Sequence, residues 1–177
     1  MKFTSKVLAT LLLGAAYLSG CDSLPAPNPI APQKPDIGEW HIEEPKINAI
    51  DGTKTQMITT GDIGSNLVLC FKNGKLCGSG SSGVFVTSPC SIIGEEAASY
   101  RRQVRLRFDD EKFLVETWDI TDDQRAISPE AKENFIASLK SHKIFAIEFG
   151  CARSDSDVII FQIHGLQAAI DAAGLKL

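Results

Sequence analysis

The side chains of this chain that could support catalysis or bind a metal are five cysteines, three histidines and many acids. His41, His142 and His164 fit no metal-binding or nucleophile-activating spacing, and neither H-E-x-x-H nor G-x-S-x-G occurs. No Cys-x-x-Cys occurs either, which argues against redox catalysis and against a zinc site. The acids cluster at residues 109–111 and 122–123, which we predict to be solvated turns. The sequence therefore predicts no catalytic residue, no metal and no cofactor, and a protein that is not an enzyme.

Cys21 follows a segment typical of a secretory signal. Lys2 and Lys6 precede an apolar run over residues 7–17, which is shorter than the roughly 18 residues of a membrane-spanning helix. Residues 18–21, Leu-Ser-Gly-Cys, resemble the bacterial lipobox. That resemblance implies cleavage before Cys21 and acylation, with groups such as palmitate, of its thiol and its new amino group. We therefore predict a lipoprotein signal peptide over residues 1–20.

Lipidation would place the protein at a bacterial cell membrane, facing the periplasm. Two or more acyl chains hold a protein stably at a bilayer, and the lipobox family carries three. Asp22, directly after the anchor, favours the inner membrane, although the outer membrane stays open. Residues 21–36 form the anchor and a linker with five prolines, which favours extended backbone of about 3.1 Å per residue. The globular domain is predicted over residues 37–177.

The four remaining cysteines form an even set, which in an exported chain indicates two disulfides. The sequence alone allows three connectivities. Asn73-Gly74 lies between two apolar runs and predicts a two-residue hairpin turn, which places Cys70 opposite Cys77. This register favours the pairs Cys70–Cys77 and Cys90–Cys151.

Net charge limits the classes of partner. Without residues 1–20 the chain carries 16 basic and 22 acidic residues, a formal charge of −6, because two of its 18 bases are removed. Such a domain is not built to bind nucleic acid or to adhere broadly to anionic lipid. Its one unusual surface is an arginine strand, in which Arg101, Arg105 and Arg107 share a face. This face is either a docking site for an acidic partner or for the sugar-acid groups of the cell wall, or a solvated surface balanced by neighbouring acids such as Glu116.

Alternating apolar and polar residues predict a mainly β (α+β) fold. We expect strands near Trp40, at residues 55–60 and 66–71, and in pairs at 103–108 with 113–120 and 144–149 with 158–163. The pair 103–108 with 113–120 is predicted to have a four-residue turn that sets Arg105 against Glu116. Residues 78–83 match G-x-G-x-x-G, but a strand follows them, so they are read as a strand connection.

Two helices complete the prediction. Ser128-Pro129-Glu130 is expected to open the first with Ser128 as N-cap, and residues 166–173 form the second. The architecture is therefore an antiparallel β-sandwich or curved sheet with two packed helices.

The order of motifs resembles the exported VasI-type accessory proteins of type VI secretion and their relatives in phages and mobile elements. The resemblance rests on Trp40, on Cys70 ending an apolar strand, on residues 104–109 (Val-Arg-Leu-Arg-Phe-Asp), and on two later segments. Those segments are Trp118 with residues 122–126 (Asp-Asp-Gln-Arg-Ala), and residues 161–166 (Phe-Gln-Ile-His-Gly-Leu). It implies a small, mostly β envelope protein and no catalytic residues.

The leading functional hypothesis is a membrane-anchored, non-enzymatic binding or accessory lipoprotein of an envelope assembly. It would contact the membrane through the lipid on Cys21 and an envelope protein through its domain. The alternatives are an inhibitor or phage/plasmid exclusion lipoprotein and, from a different class, a cell-wall-acting enzyme.

Overall fold

The computed structural model describes residues 35–78, 83–92, 100–152 and 154–177, without the side chains of 154–157. Cys21, the signal segment, the linker up to residue 34 and the centre of the Gly-Ser segment lie outside the described residues. The strands are β1 (His41–Ile42), β2 (Lys46–Ile47), β3 (Lys54–Asp62), β4 (Ser65–Lys72), β5 (Lys75–Leu76), β6 (Val84–Thr87), β7 (Arg101–Phe108), β8 (Leu114–Ile120), β9 (Ala126–Ser128), β10 (Ile144–Cys151) and β11 (Ser154–Gln162). The helices are α1 (Lys132–Ser141) and α2 (Leu166–Ala172).

The described strands form a single antiparallel sheet, which confirms the mainly β prediction and selects the curved sheet over the sandwich. Its order is β1-β3-β4-β6-β9-β8-β7-β10-β11, with β2 paired to β3 and β5 to β4. The sheet curls until β3 approaches β11, where the Thr60 hydroxyl donates to the Gln162 carbonyl at 3.2 Å. The Trp40 indole makes a similar contact just beyond β11, donating to the Ile163 carbonyl at 3.1 Å.

Alternation along the strands directs one set of side chains into the curl, and α1 packs on that inner side. Phe135 of α1 lies with its ring centroid 5.1 Å from the centroids of both Trp118 and Phe145. Phe145 in turn stacks on Phe161 of β11 at 5.9 Å. These inner side chains are 6% exposed or less, so the concave face of the sheet is the core.

The hairpin of β4 and β5 has the predicted register. Phe71 pairs with Leu76, and Lys72 pairs with Lys75. The turn residues Asn73 and Gly74 have φ values of 52° and 79°, the left-handed conformation that an Asn-Gly turn supplies.

The predicted register of β7 with β8 is wrong by one residue. Arg105 pairs with Val115 rather than Glu116, because Trp118 must share a face with the buried Val104 and Leu106. The predicted register would have turned Trp118, which is fully buried, towards solvent.

The predicted N-cap of the first helix is also wrong. Ser128 is the last residue of β9, and its buried hydroxyl donates to the Val84 carbonyl at 2.7 Å. The helix begins four residues later, at Lys132, and Ala131 at its N-cap makes no side-chain capping bond. The second helix has the predicted position, and Gly174 follows it at a φ of 66°.

Within the described ranges, no helix combines the length and apolar character needed to cross a bilayer.

Candidate functional site

The outer face of the sheet carries an exposed patch built from two rows of registered residues. In the first row, Arg105 pairs with Val115 on one side and with Glu148 on the other, and Glu148 pairs with Val158. Residues opposite one another across an antiparallel ladder share a face, so this row crosses β8, β7, β10 and β11 on the solvent side.

The second row lies beside the first. Ala146 pairs with Arg107 of β7 and with Ile160 of β11. Phe113, just before β8, extends the row because the Arg107 guanidinium carbon lies 5.0 Å from its ring centroid. We define the outer-face patch by the two rows together: Arg105, Arg107, Phe113, Val115, Ala146, Glu148, Val158 and Ile160.

The patch has a charged centre, where Ala146 is buried, and apolar flanks that are open to solvent. Val115, Val158 and Ile160 are 62%, 61% and 61% exposed, and Phe113 is 49% exposed. Four strands at about 4.8 Å spacing make it roughly 15–20 Å wide. Isolated exposed apolar residues need no explanation, but here two apolar pairs, Phe113 with Val115 and Val158 with Ile160, flank the arginines on one face of the sheet, which favours an interaction surface.

The arginines predicted to bind an acidic partner do share the outer face, but two of them are neutralised within the domain. Arg105 forms an ion pair with Glu148 at 2.9 Å. Arg101 contacts Asp119 at 3.5 Å and Glu130 at 2.7 Å. The outer face is therefore not a bare cationic surface.

Arg107 differs from these two arginines. Its guanidinium and that of Arg105 both lie over Phe113, at 5.0 and 4.7 Å from the ring centroid. The Nε atom of Arg107 is buried and has no hydrogen-bond partner among the described residues. Arg107 thus combines a stacked apolar surface with a guanidinium that forms no ion pair with an acid among the described residues.

Two disulfides fix the loops around the sheet. Cys70 and Cys77 are bonded across the hairpin with Cα atoms 5.5 Å apart. Cys90 and Cys151 are bonded with Cα atoms 5.8 Å apart, which ties the segment after β6 to the end of β10. These are the pairs that the hairpin register favours.

A serine, a histidine and a carboxylate meet at the C-terminal end of α1, an arrangement that the sequence analysis missed. The Ser141 hydroxyl lies 3.0 Å from His142 Nδ1, and His142 Nε2 lies 3.2 Å from Glu111 Oε1. His142 Nδ1 also lies 2.8 Å from the Ser138 carbonyl, which can only accept, so Nδ1 must carry a proton. The bonds to Ser138 and Glu111 raise the pKa of His142. A ring nitrogen that already carries a proton cannot take one from Ser141, so the group does not form an activated nucleophile.

A groove of about 690 Å³ beside the β8–β9 turn contains the other carboxylate cluster, Asp122 and Asp123. Asp123 accepts hydrogen bonds from the Thr121 hydroxyl at 2.6 Å and from the Arg125 amide at 3.1 Å. These bonds lower the pKa of Asp123. A carboxylate held ionised in this way shapes the turn and is a poor general acid.

Among the residues with described positions, no group of three or more His, Cys, Asp or Glu side chains could hold a metal ion.

No protein-family model and no curated protein matches the chain. Among solved structures the chain is similar to the invasion associated protein B from Bartonella henselae, with a TM-score of 0.43 and 16% sequence identity. That similarity covers 77% of this chain and 92% of the other.

Proposed function

We propose that this protein is a membrane-anchored binding lipoprotein of the bacterial envelope, which uses its outer-face patch to bind an envelope protein. The proposal combines a sequence feature with a structural one. The lipobox-like residues 18–21 supply the anchor on Cys21, and the patch supplies the contact surface. The observation that carries the binding function is the pair of exposed apolar flanks, on the β8 side and on β11, that enclose Arg107 on one face of the sheet.

The chemistry of the patch specifies the partner. Val115 on one side and Val158 and Ile160 on the other offer apolar flanks, and Arg107 offers guanidinium donors between them. The complementary surface is apolar with a carboxylate that meets Arg107. The acidic partner predicted from sequence is thereby narrowed to a mainly apolar one, since Arg101 and Arg105 already have acidic partners.

Site-resolved photo-cross-linking in the native host tests the proposal. A photoreactive amino acid replaces Val115 or Ile160 in the full chain, and a matched variant carries it at Ile50, which is 96% exposed and distant in sequence from the patch. We expect one discrete adduct from the two patch positions, lost when Arg107→Glu is added, and none from position 50. Equal labelling at all three positions would contradict a binding patch.

The identity of the adduct separates the remaining alternatives. A component of an envelope assembly supports the accessory function. A lytic enzyme, or a protein of an incoming phage or plasmid, supports the inhibitor or exclusion function instead.

A further inference from the structure

A second surface lies between α1, the β4–β5 hairpin and the C-terminal residues. It is a groove of about 550 Å³, whose lining is Lys75, Leu76, Glu133, Ile136, Ala137, Lys140, Lys176 and Leu177. Helical spacing of three and four residues brings the α1 members of this set to one side of the helix. The C-terminus is held against the hairpin because the Lys176 amide donates to the Gly74 carbonyl at 3.3 Å.

The groove has an apolar floor and a cationic rim. Leu177 is 49% exposed, and Leu76 is half-buried. Three lysines surround these groups, and Glu133 is the one acid in the lining. The ion pairs of the described residues involve Arg101, Arg105 and His142, and none of the three lysines takes part in one. In a chain with a net charge of −4, this rim is a local concentration of positive side chains among the described residues.

The groove and the outer-face patch lie on opposite sides of the sheet. Phe145 and Phe108 point inward, where each ring contacts Phe135 of α1. Their neighbours Ala146 and Arg107 point outward into the patch. Because α1 covers the inner face, its solvent side, which lines the groove, faces away from the patch.

The groove is also near the point where the linker enters the domain. A Cβ atom added to Gly165 would lie 2.6 Å from the carbonyl carbon of Ile37, so the entering chain contacts the start of α2 directly. The seven residues of α2 rise about 10 Å and lead to Lys176 and Leu177 at the groove.

We propose that this groove docks the domain onto a bilayer that contains anionic phospholipid. Lysine stems lie along the apolar floor and place their ammonium groups among lipid phosphates, as amphipathic side chains do at membrane interfaces. The net negative charge of the domain opposes adhesion through any other face, so docking is specific in orientation. It leaves the outer-face patch pointing away from the membrane, towards a partner. The inference rests on the proposed lipid anchor for the domain's proximity to the bilayer.

The test uses the full chain purified from its native membranes and added to vesicles. One set contains phosphatidylcholine alone, and the other contains phosphatidylglycerol in addition; both carry a trace of lipid with a nitroxide headgroup. A fluorophore on Ala137→Cys reports contact of the groove with headgroups, and flotation reports attachment. We expect flotation with both sets and quenching of the fluorophore only with phosphatidylglycerol.

Charge reversal provides the matched comparison. Each lysine near an anionic surface strengthens binding about fivefold. The equilibrium constant for docking should therefore fall about a hundredfold in the K75E/K140E/K176E variant. The K46E/K112E/K143E variant has the same net charge, alters exposed lysines away from the groove, and should keep the quenching.

The outcomes separate the two proposals. Flotation with both vesicles and equal quenching in both would overturn the docking inference and leave the anchor intact. Flotation and quenching only with phosphatidylglycerol would support docking and refute the anchor. An equal loss of quenching in both lysine variants would overturn docking at this groove. The absence of flotation with either kind of vesicle would refute both proposals. Equal quenching by a soluble acidic peptide that carries the same nitroxide and by phosphatidylglycerol vesicles would overturn the assignment to a bilayer.

Discussion

The disulfide between Cys90 and Cys151 should contribute more to stability than the one between Cys70 and Cys77. The first joins residues 61 positions apart and the second joins residues 7 positions apart. In the chain-entropy account, a crosslink removes unfolded-state entropy that grows with the logarithm of the loop length. The long loop is then worth about 4.3 kcal/mol and the short loop about 2.5 kcal/mol at 25 °C.

The double variants C90A/C151A and C70A/C77A allow this comparison. The contacts beside the long crosslink, such as the bond from the Ala152 amide to the Ser91 carbonyl at 2.9 Å, remain available without it. Removal of the crosslink therefore lowers stability mainly by increasing the entropy of the unfolded state. Urea unfolding can be followed by tryptophan fluorescence, since Trp40 and Trp118 are both buried and become solvated together.

The unfolding free energy should fall by about 2 kcal/mol per molar urea. The urea concentration at the unfolding midpoint should therefore fall by roughly 2 M for C90A/C151A and by roughly 1.2 M for C70A/C77A. Reductant should lower the midpoint of the wild-type chain below that of either variant. A loss from C70A/C77A equal to or larger than that from C90A/C151A would refute the loop-length reasoning.

Three further predictions concern single positions. The pKa of His142 is raised above its ordinary 6.5 in the folded protein, so its stabilising contribution is complete below about pH 6.5 and is lost as the pH rises through the raised value. Urea unfolding across that range should show the decline in the wild-type chain and a smaller one in Glu111→Gln. Trp118→Ala should cost about 3–5 kcal/mol of unfolding free energy and Trp118→Phe clearly less, because the ring packs against Phe135 in the core; equal losses would contradict that packing. Gly74→Ala should cost about 1 kcal/mol, measured by the same unfolding assay, because its φ is positive while no atom lies within 4 Å of an added Cβ. No change on that substitution would mean that the turn is not in the left-handed conformation.

Local sequence signals predict the structure well where the turn chemistry is specific. Asn73-Gly74 fixes both the turn type and the register of β4 with β5, because few residue pairs accept two positive φ values. The acidic turn after β7 carries no such restriction. Asp109 has a φ of 44°, and its carboxylate accepts from the amides of Lys143 and Ile144 at 2.9 and 2.8 Å. That long-range contact is invisible to local pattern, and the predicted register was one residue out.

The candidate binding surface could be predicted only in part for the same reason. Alternation places Arg105 and Arg107 on one face, but the partner of Arg105 is Glu148, 43 residues away on a strand that is not its hairpin neighbour. The apolar members Val158 and Ile160 belong to β11, whose register with β10 sets them in line with the arginines. Similarly, serine is a favoured N-cap residue, but Ser128 lies in the β9 ladder. That position directs its hydroxyl to the Val84 carbonyl instead of a helix amide.

Both proposals rest on the lipid proposed at Cys21, because such an anchor would place both surfaces at the envelope. Mass spectrometry of the protein isolated from its native host measures this directly. The account predicts that the mature chain begins at Cys21 and carries a mass increment for a diacylglyceryl group and one further acyl chain. A chain that keeps residues 1–20, or that begins at Cys21 with no added lipid, would contradict it.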